Sequence, residues 1–90
     1  MEKYTFIFEY KKGTYIKQVE SRNLIDAIRL WSCQLNATDI PDFDDKKQKQ
    51  LQHEIALEDP IALYGMNNVW CMFLRIGRSS YLLNIVATKA

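Results

Sequence analysis

Ninety residues make room for about one domain, and surface scaling lets such a chain hide roughly two-thirds of its unfolded surface on folding, so its core is thin. With 48% hydrophobic, 26% charged and 12% aromatic residues the composition is globular, which excludes the disordered and fibrous classes. The net charge of +1 excludes a global field drawing the chain to nucleic acid or anionic lipid, and the mild acidic excess in residues 1–45 and basic excess in 46–90 leave any charge-led role to local clusters.

The chain opens directly into Tyr4-Thr5-Phe6-Ile7-Phe8, with no signal-peptide run or cleavage site, and no stretch of about 18 apolar residues could span a bilayer. The expected compartment is the cytoplasm, where Cys33 and Cys71 stay as thiols. Residues 3–10 alternate, Tyr4, Phe6, Phe8 and Tyr10 on one face and Thr5, Ile7 and Glu9 on the other, the period-two pattern of a strand with one aromatic face. Lys12-Gly13 supplies a turn, and Thr14 to Glu20 returns as a second strand. In that register Tyr10 faces Tyr15, Phe8 faces Lys17 and Phe6 faces Val19, which makes the aromatic face core at one end and polar towards the turn.

Ser21 or Asn23 can cap a helix in which Leu24, Ala27, Ile28, Trp31 and Leu35 fall on one stripe. Leu30 and Cys33 point away from that stripe, alongside Asp26 and Arg29, and call for cover by a second helix or by a partner chain. Asn36 to Pro41 has turn chemistry. Asp42, Asp44 and Asp45 then precede Lys46, Lys47 and Lys49, an order that suits a helix start and offers the i,i+4 pairs Asp42/Lys46 and Asp45/Lys49. Phe43, Leu51, Ile55 and Leu57 give this second helix only a narrow apolar edge, and Pro60 stops it.

Ile61 to Tyr64 reads either as a short strand or as a helical turn, before a further turn at Asn67-Asn68. Val69 to Ile76 and Tyr81 to Thr88 flank Gly77-Arg78-Ser79-Ser80 as a second hairpin. Val69, Cys71 and Phe73 lie on one side of its first strand and Trp70, Met72, Leu74 and Ile76 on the other, so both faces want cover, one from the helices and one from a loop or another subunit.

Asp39, Asp42, Asp44 and Asp45 could gather around a hard cation, but they lack the turn glycine and closing glutamate of a calcium loop, and helix-start capping accounts for them. Cys33, Cys71 and His53 stand singly, without the paired spacing of a zinc site or an orienting group for a nucleophile. No metal, cofactor or catalytic residue is expected. Trp31, on the helix stripe, and Trp70, in an apolar strand, are read as core.

Basic and aromatic residues do interleave at the hairpin ends: Tyr10, Lys11, Lys12, Tyr15 and Lys17 in the first, Arg75 and Arg78 in the second. Exposed rings stack on bases while cations meet phosphates; lysines at hairpin ends also discourage edge-to-edge pairing. The strand, strand, helix opening, with Asp26-Ala27-Ile28-Arg29-Leu30-Trp31 in its helix, resembles the small partial ribonuclease-H-like domains of the HicB type over about a third of the chain, which implies an antitoxin-type, nucleic-acid-binding role. It departs from them where Glu20 runs almost straight into Asn23, without the expected proline- and glycine-rich stretch. A β-grasp arrangement fits the element order equally.

The expectation is a single α+β domain of ββααββ order: four strands, with Ile61 to Tyr64 as an optional fifth, in a mostly antiparallel sheet. The first helix packs on one face and the polar second helix lies beside it. The expected role is that of a non-enzymatic protein-interaction or regulatory module, taking a homodimer partner or another protein through the free sheet face, an edge strand, or the outer helix face with Leu30 and Cys33. The alternative is a nucleic-acid-binding module that uses the hairpin tips.

Overall fold

A computed structural model describes residues 1–36 and 38–89. In chain order the elements are β1 (Glu2–Tyr10), β2 (Gly13–Ser21), α1 (Leu24–Gln34), α2 (Asp45–Leu57), β3 (Ile61–Ala62), β4 (Val69–Ile76) and β5 (Ser79–Lys89). All five strands join one antiparallel sheet in the order β2-β1-β5-β4-β3. This is the α+β architecture expected, with the optional fifth strand realised as a two-residue edge. Of the expected turn Asn36 to Pro41, Ala37 lies outside the described residues.

Strand periodicity builds the core. Tyr4, Phe6, Phe8 and Tyr10 of β1, Met72, Leu74 and Ile76 of β4, and Leu83 and Ile85 of β5 are buried on the face that carries both helices. On α1, Ala27, Ile28 and Trp31 meet them. The Trp31 ring stacks on Phe6 at 5.3 Å and meets Phe8 edge-on at 5.4 Å, so this one side chain binds α1 to β1. Asn23, rather than Ser21, caps α1: its side-chain oxygen accepts from the Asp26 amide at 2.8 Å, while Ser21 ends β2 and is buried. Asp44 does the same for α2, accepting from the Lys47 amide at 2.9 Å.

α1 ends without a glycine or a basic last turn. Its orphaned carbonyls are met from neighbouring elements instead. Gln48 of α2 donates from Nε2 to the Ser32 and Leu35 oxygens, both at 2.9 Å, and Lys17 Nζ of β2 donates to the Gln34 oxygen at 3.3 Å. α2 is therefore held beside α1 by its glutamines as much as by the buried Leu51.

Three expectations are corrected. The first turn is Lys11-Lys12, not Lys12-Gly13: Tyr10 pairs with Gly13, Phe8 with Tyr15, Phe6 with Lys17 and Tyr4 with Val19. Lys11 takes the left-handed backbone (φ 54°), and Gly13 is the strand residue over which the Tyr15 ring folds so closely that a Cβ would meet it. The slip leaves every side chain on its expected face. Second, the aromatic face stays core up to the turn, because Phe43, Tyr81 and the loop at Ile40 to Asp42 cover Tyr10. Third, Asp42 precedes α2 with φ 60° and pairs with Lys11 and Lys47, not with Lys46. The second hairpin turns tightly on Gly77-Arg78, with Ile76 opposite Ser79 and Gly77 at φ 66°. Among the described residues no helix is long and apolar enough to cross a membrane.

Candidate interaction surface

Every residue of the sheet that points away from the helices lies on one open face, and the strand register places those residues in rows. One row reads Ile16, Ile7, Asn84, Cys71 and Ile61, one residue from each of the five strands in sheet order, and spans roughly 19 Å at the usual strand spacing. Leu82 and Phe73 face each other on one side of it, and Val86 and Val69 on the other. Ile16 is 66% exposed, Phe73 58% and Ile61 57%; Ile7, Leu82, Cys71, Val69 and Val86 are half-buried by one another. A contiguous apolar strip on a solvent-facing sheet is the surface feature most often used for contact with another macromolecule.

The hairpin-tip residues do not form one surface. Both turns lie at the same end of the sheet, since β1 runs into its turn where β5 leaves its own. Lys11, Lys12 and Arg78 are exposed there beside Lys46 and Lys47 at the start of α2. Acids are interleaved with them: Asp42 pairs with both Lys11 and Lys47, and Asp44 caps the helix. Tyr10 is 1% exposed, and its hydroxyl donates to the Asp42 carbonyl at 2.7 Å. Burial pushes its pKa up, a shift that Lys47 partly opposes. The ring offers no face on which a base could stack. Tyr15 is half-buried, Lys17 is tied to the end of α1, and Arg75 sits apart on the open face of β4.

On the outer side of α1, Leu30 is 39% exposed and Cys33 is exposed. α2 does not close over Leu30; its Gln52 amide reaches the Cys33 sulfur at 3.9 Å. Cys71 lies on the open face, so the sheet separates the two free thiols. A cavity of about 140 Å³ opens between α1, the end of α2 and β4, lined by Ile25, Ile28, Ile55 and Met72 together with the charged Arg29, Glu58 and Asp59.

No protein-family model, curated protein or solved structure matches the chain. The reading therefore rests on this chain's own geometry. Sequence reasoning placed Val69, Cys71 and Phe73 on a face in need of cover, but it did not bring Ile7 and Ile16 onto the same strip. That step needs β1 and β5 to pair, which no local signal announces. It also missed the structural use of Gln48, Gln50 and Asp42, which reach partners 13 to 32 residues away.

Proposed function

We propose that the chain is a small protein-interaction module, binding rather than catalytic, whose contact surface is the helix-free face of the sheet. The observation that carries this is the five-strand row Ile16, Ile7, Asn84, Cys71 and Ile61 with Phe73 and Leu82 beside it. The core lies on the other face, with Phe6, Phe8, Trp31, Leu51, Leu74, Leu83 and Ile85 at 0% exposure, while Ile16, Ile61 and Phe73 stay exposed and are available for a partner. We infer a reducing compartment such as the cytoplasm, where free thiols such as the exposed Cys33 persist.

The co-location of Lys12 and Arg78 at one end favours the second reading, a nucleic-acid contact through the hairpin tips. Asp42, paired with the neighbouring Lys11 and Lys47, weakens it. Tagged protein recovered from its native host at low salt separates the two. A stoichiometric protein partner, lost from Ile7→Lys and Phe73→Lys but kept by Lys12→Glu and Arg78→Glu, is the expected result. Nuclease-sensitive material lost with rising salt or from the tip variants, and indifferent to the face variants, would reverse the order.

A further inference from the structure

The sheet ends differently on its two sides. β3 is two residues long, and beyond it the outer edge of β4 runs beside α2, whose Gln50 Oε1 takes the Gly77 amide at 3.0 Å. β2, on the opposite edge, has nine residues, no proline and an unbroken ladder to β1 without a bulge. Among the described residues no strand lies on its outer side. Native sheets usually shorten, bulge or charge such an edge; here the side chains on its open-face side are Thr14, Ile16, Gln18 and Glu20.

The register says which backbone groups face outward. A two-residue loop is closed by a hydrogen-bonded pair, Tyr10 with Gly13, and such pairs then recur at every second residue. Gly13, Tyr15, Lys17, Val19 and Ser21 bond to β1, so the N–H and C=O groups of Thr14, Ile16, Gln18 and Glu20 point out from the edge. The bond from the Ala87 amide to the Asn68 carbonyl, directed away from β1, fits the same alternation across the sheet.

We propose that this edge is taken by a second copy of the chain, β2 against β2 and antiparallel, with the two-fold axis at Ile16. The residue order favours that register over those shifted towards Lys17 and Gln18. Ile16 meets the partner's Ile16, Thr14 meets the partner's Gln18, and Tyr15 meets the partner's Lys17, a ring beside a cation. Lys12, in the turn, comes abreast of the partner's Glu20. Each contact except that on the axis occurs twice. Moving the axis to Lys17 sets two ammonium groups opposite one another, and moving it to Gln18 sets Ile16 against a glutamate; both are disfavoured on one sheet face. Above the edge, Gln34, Leu35, Asp39 and Ile40 wall a groove of about 420 Å³ that leaves room for the partner's Tyr15 and Lys17. The row, interrupted in each copy by Asn84, then runs through a ten-stranded sheet. This extends the binding-module reading without depending on it, because Phe73 on β4 lies three strands from the axis.

Sedimentation of the full chain from ~1 to ~500 µM, with residue-resolved amide exchange at both ends of the range, tests the proposal. The expected result is a dimer whose Thr14, Ile16, Gln18 and Glu20 amides exchange at least about tenfold more slowly than in dilute protein. Ile16→Pro removes an amide the chain itself leaves outward, so it yields a folded monomer. Should that variant misfold, Ile16→Lys puts like charges at the axis and gives the same result. A monomer throughout, or a dimer whose four amides remain as fast as in dilute protein, would overturn edge pairing. A dimer that survives both Ile16 variants but is lost from Phe73→Lys would likewise overturn it and move the second copy to the sheet face, whereas Phe73→Lys leaves an edge dimer intact.

Discussion

Replacing Gln48 tests how the two helices are held together. Its amide is the donor to two α1 carbonyls, Ser32 and Leu35, at 2.9 Å each, in a part-buried setting. At roughly 1 kcal/mol net per hydrogen bond, Gln48→Ala costs about 2 kcal/mol, with a few tenths returned by alanine's better helix propensity. In a domain of this size that lowers the melting temperature by about 8–16 °C. Gln48→Glu is the sharper probe. A carboxylate accepts only, so the same shape turns two attractions into two repulsions, and the loss exceeds that of alanine at neutral pH. The gap narrows as the introduced carboxyl is protonated below about pH 4. Urea unfolding followed by the fluorescence of the buried Trp31 reads both. A cost under about 0.5 kcal/mol for alanine, or a glutamate variant no worse than alanine, would show that Gln48 does not cap α1. Gln52→Ala, which removes a bond of 3.5 Å to the same Ser32 oxygen, serves as the control and loses little.

Three further outcomes follow from named contacts. Burial raises the pKa of Tyr10, so the neutral ring is favoured in the folded state; its contribution is complete below the ordinary value of 10.0 and is lost as pH rises through the folded value. Tyr10→Phe, which also gives up the bond to the Asp42 carbonyl, is less stable by about 1 kcal/mol at pH 7 but loses stability less steeply above pH 10 in alkaline titrations followed by circular dichroism. Phe73→Lys, at a site 58% exposed, changes stability by less than about 0.5 kcal/mol and lowers binding of a hydrophobic dye to the native protein; a large loss of stability would place Phe73 in the core. Gly77→Ala meets no atom within 4 Å and is penalised only by its φ of 66°, so chemical denaturation shows a cost of about 1 kcal/mol.

Local periodicity carried most of this fold. The β1 alternation, the α1 stripe and the stop at Pro60 are properties of contiguous residues, and they stand as read. What failed was non-local. Lys12-Gly13 carries the composition of a turn, yet the turn falls on Lys11-Lys12, with Lys11 in the left-handed region and paired with Asp42 from a distant loop. Tyr10 reads as a tip residue in its own hairpin and is buried only because Phe43 and Tyr81 arrive from elsewhere. α2 is too polar to show a periodic face, so its docking by Gln48 left no pattern to find. The surface strip was half legible: Val69, Cys71 and Phe73 alternate visibly, while the adjacency of Ile7 to β5 is a fact of topology.

Asp42 also offers a way to separate the two functional readings without touching either surface directly. It pairs with Lys11 and Lys47, and its carbonyl accepts from both the Tyr10 hydroxyl and Lys47 Nζ. Its backbone is left-handed, a conformation that asparagine tolerates as well as aspartate does, so Asp42→Asn keeps the loop and the carbonyl contacts while deleting one negative charge. The ion pairs are largely exposed, and their loss costs no more than about 1 kcal/mol. The electrostatic consequence is larger than the structural one, because two lysines at the hairpin end are released together. If phosphate were the ligand, Asp42→Asn would bind single-stranded nucleic acid more tightly and steepen the salt dependence by up to about two counterions. If the apolar row on the opposite side of the sheet is the contact surface, the same substitution leaves partner binding and its salt dependence unchanged, because no residue of that row touches Asp42, Lys11 or Lys47.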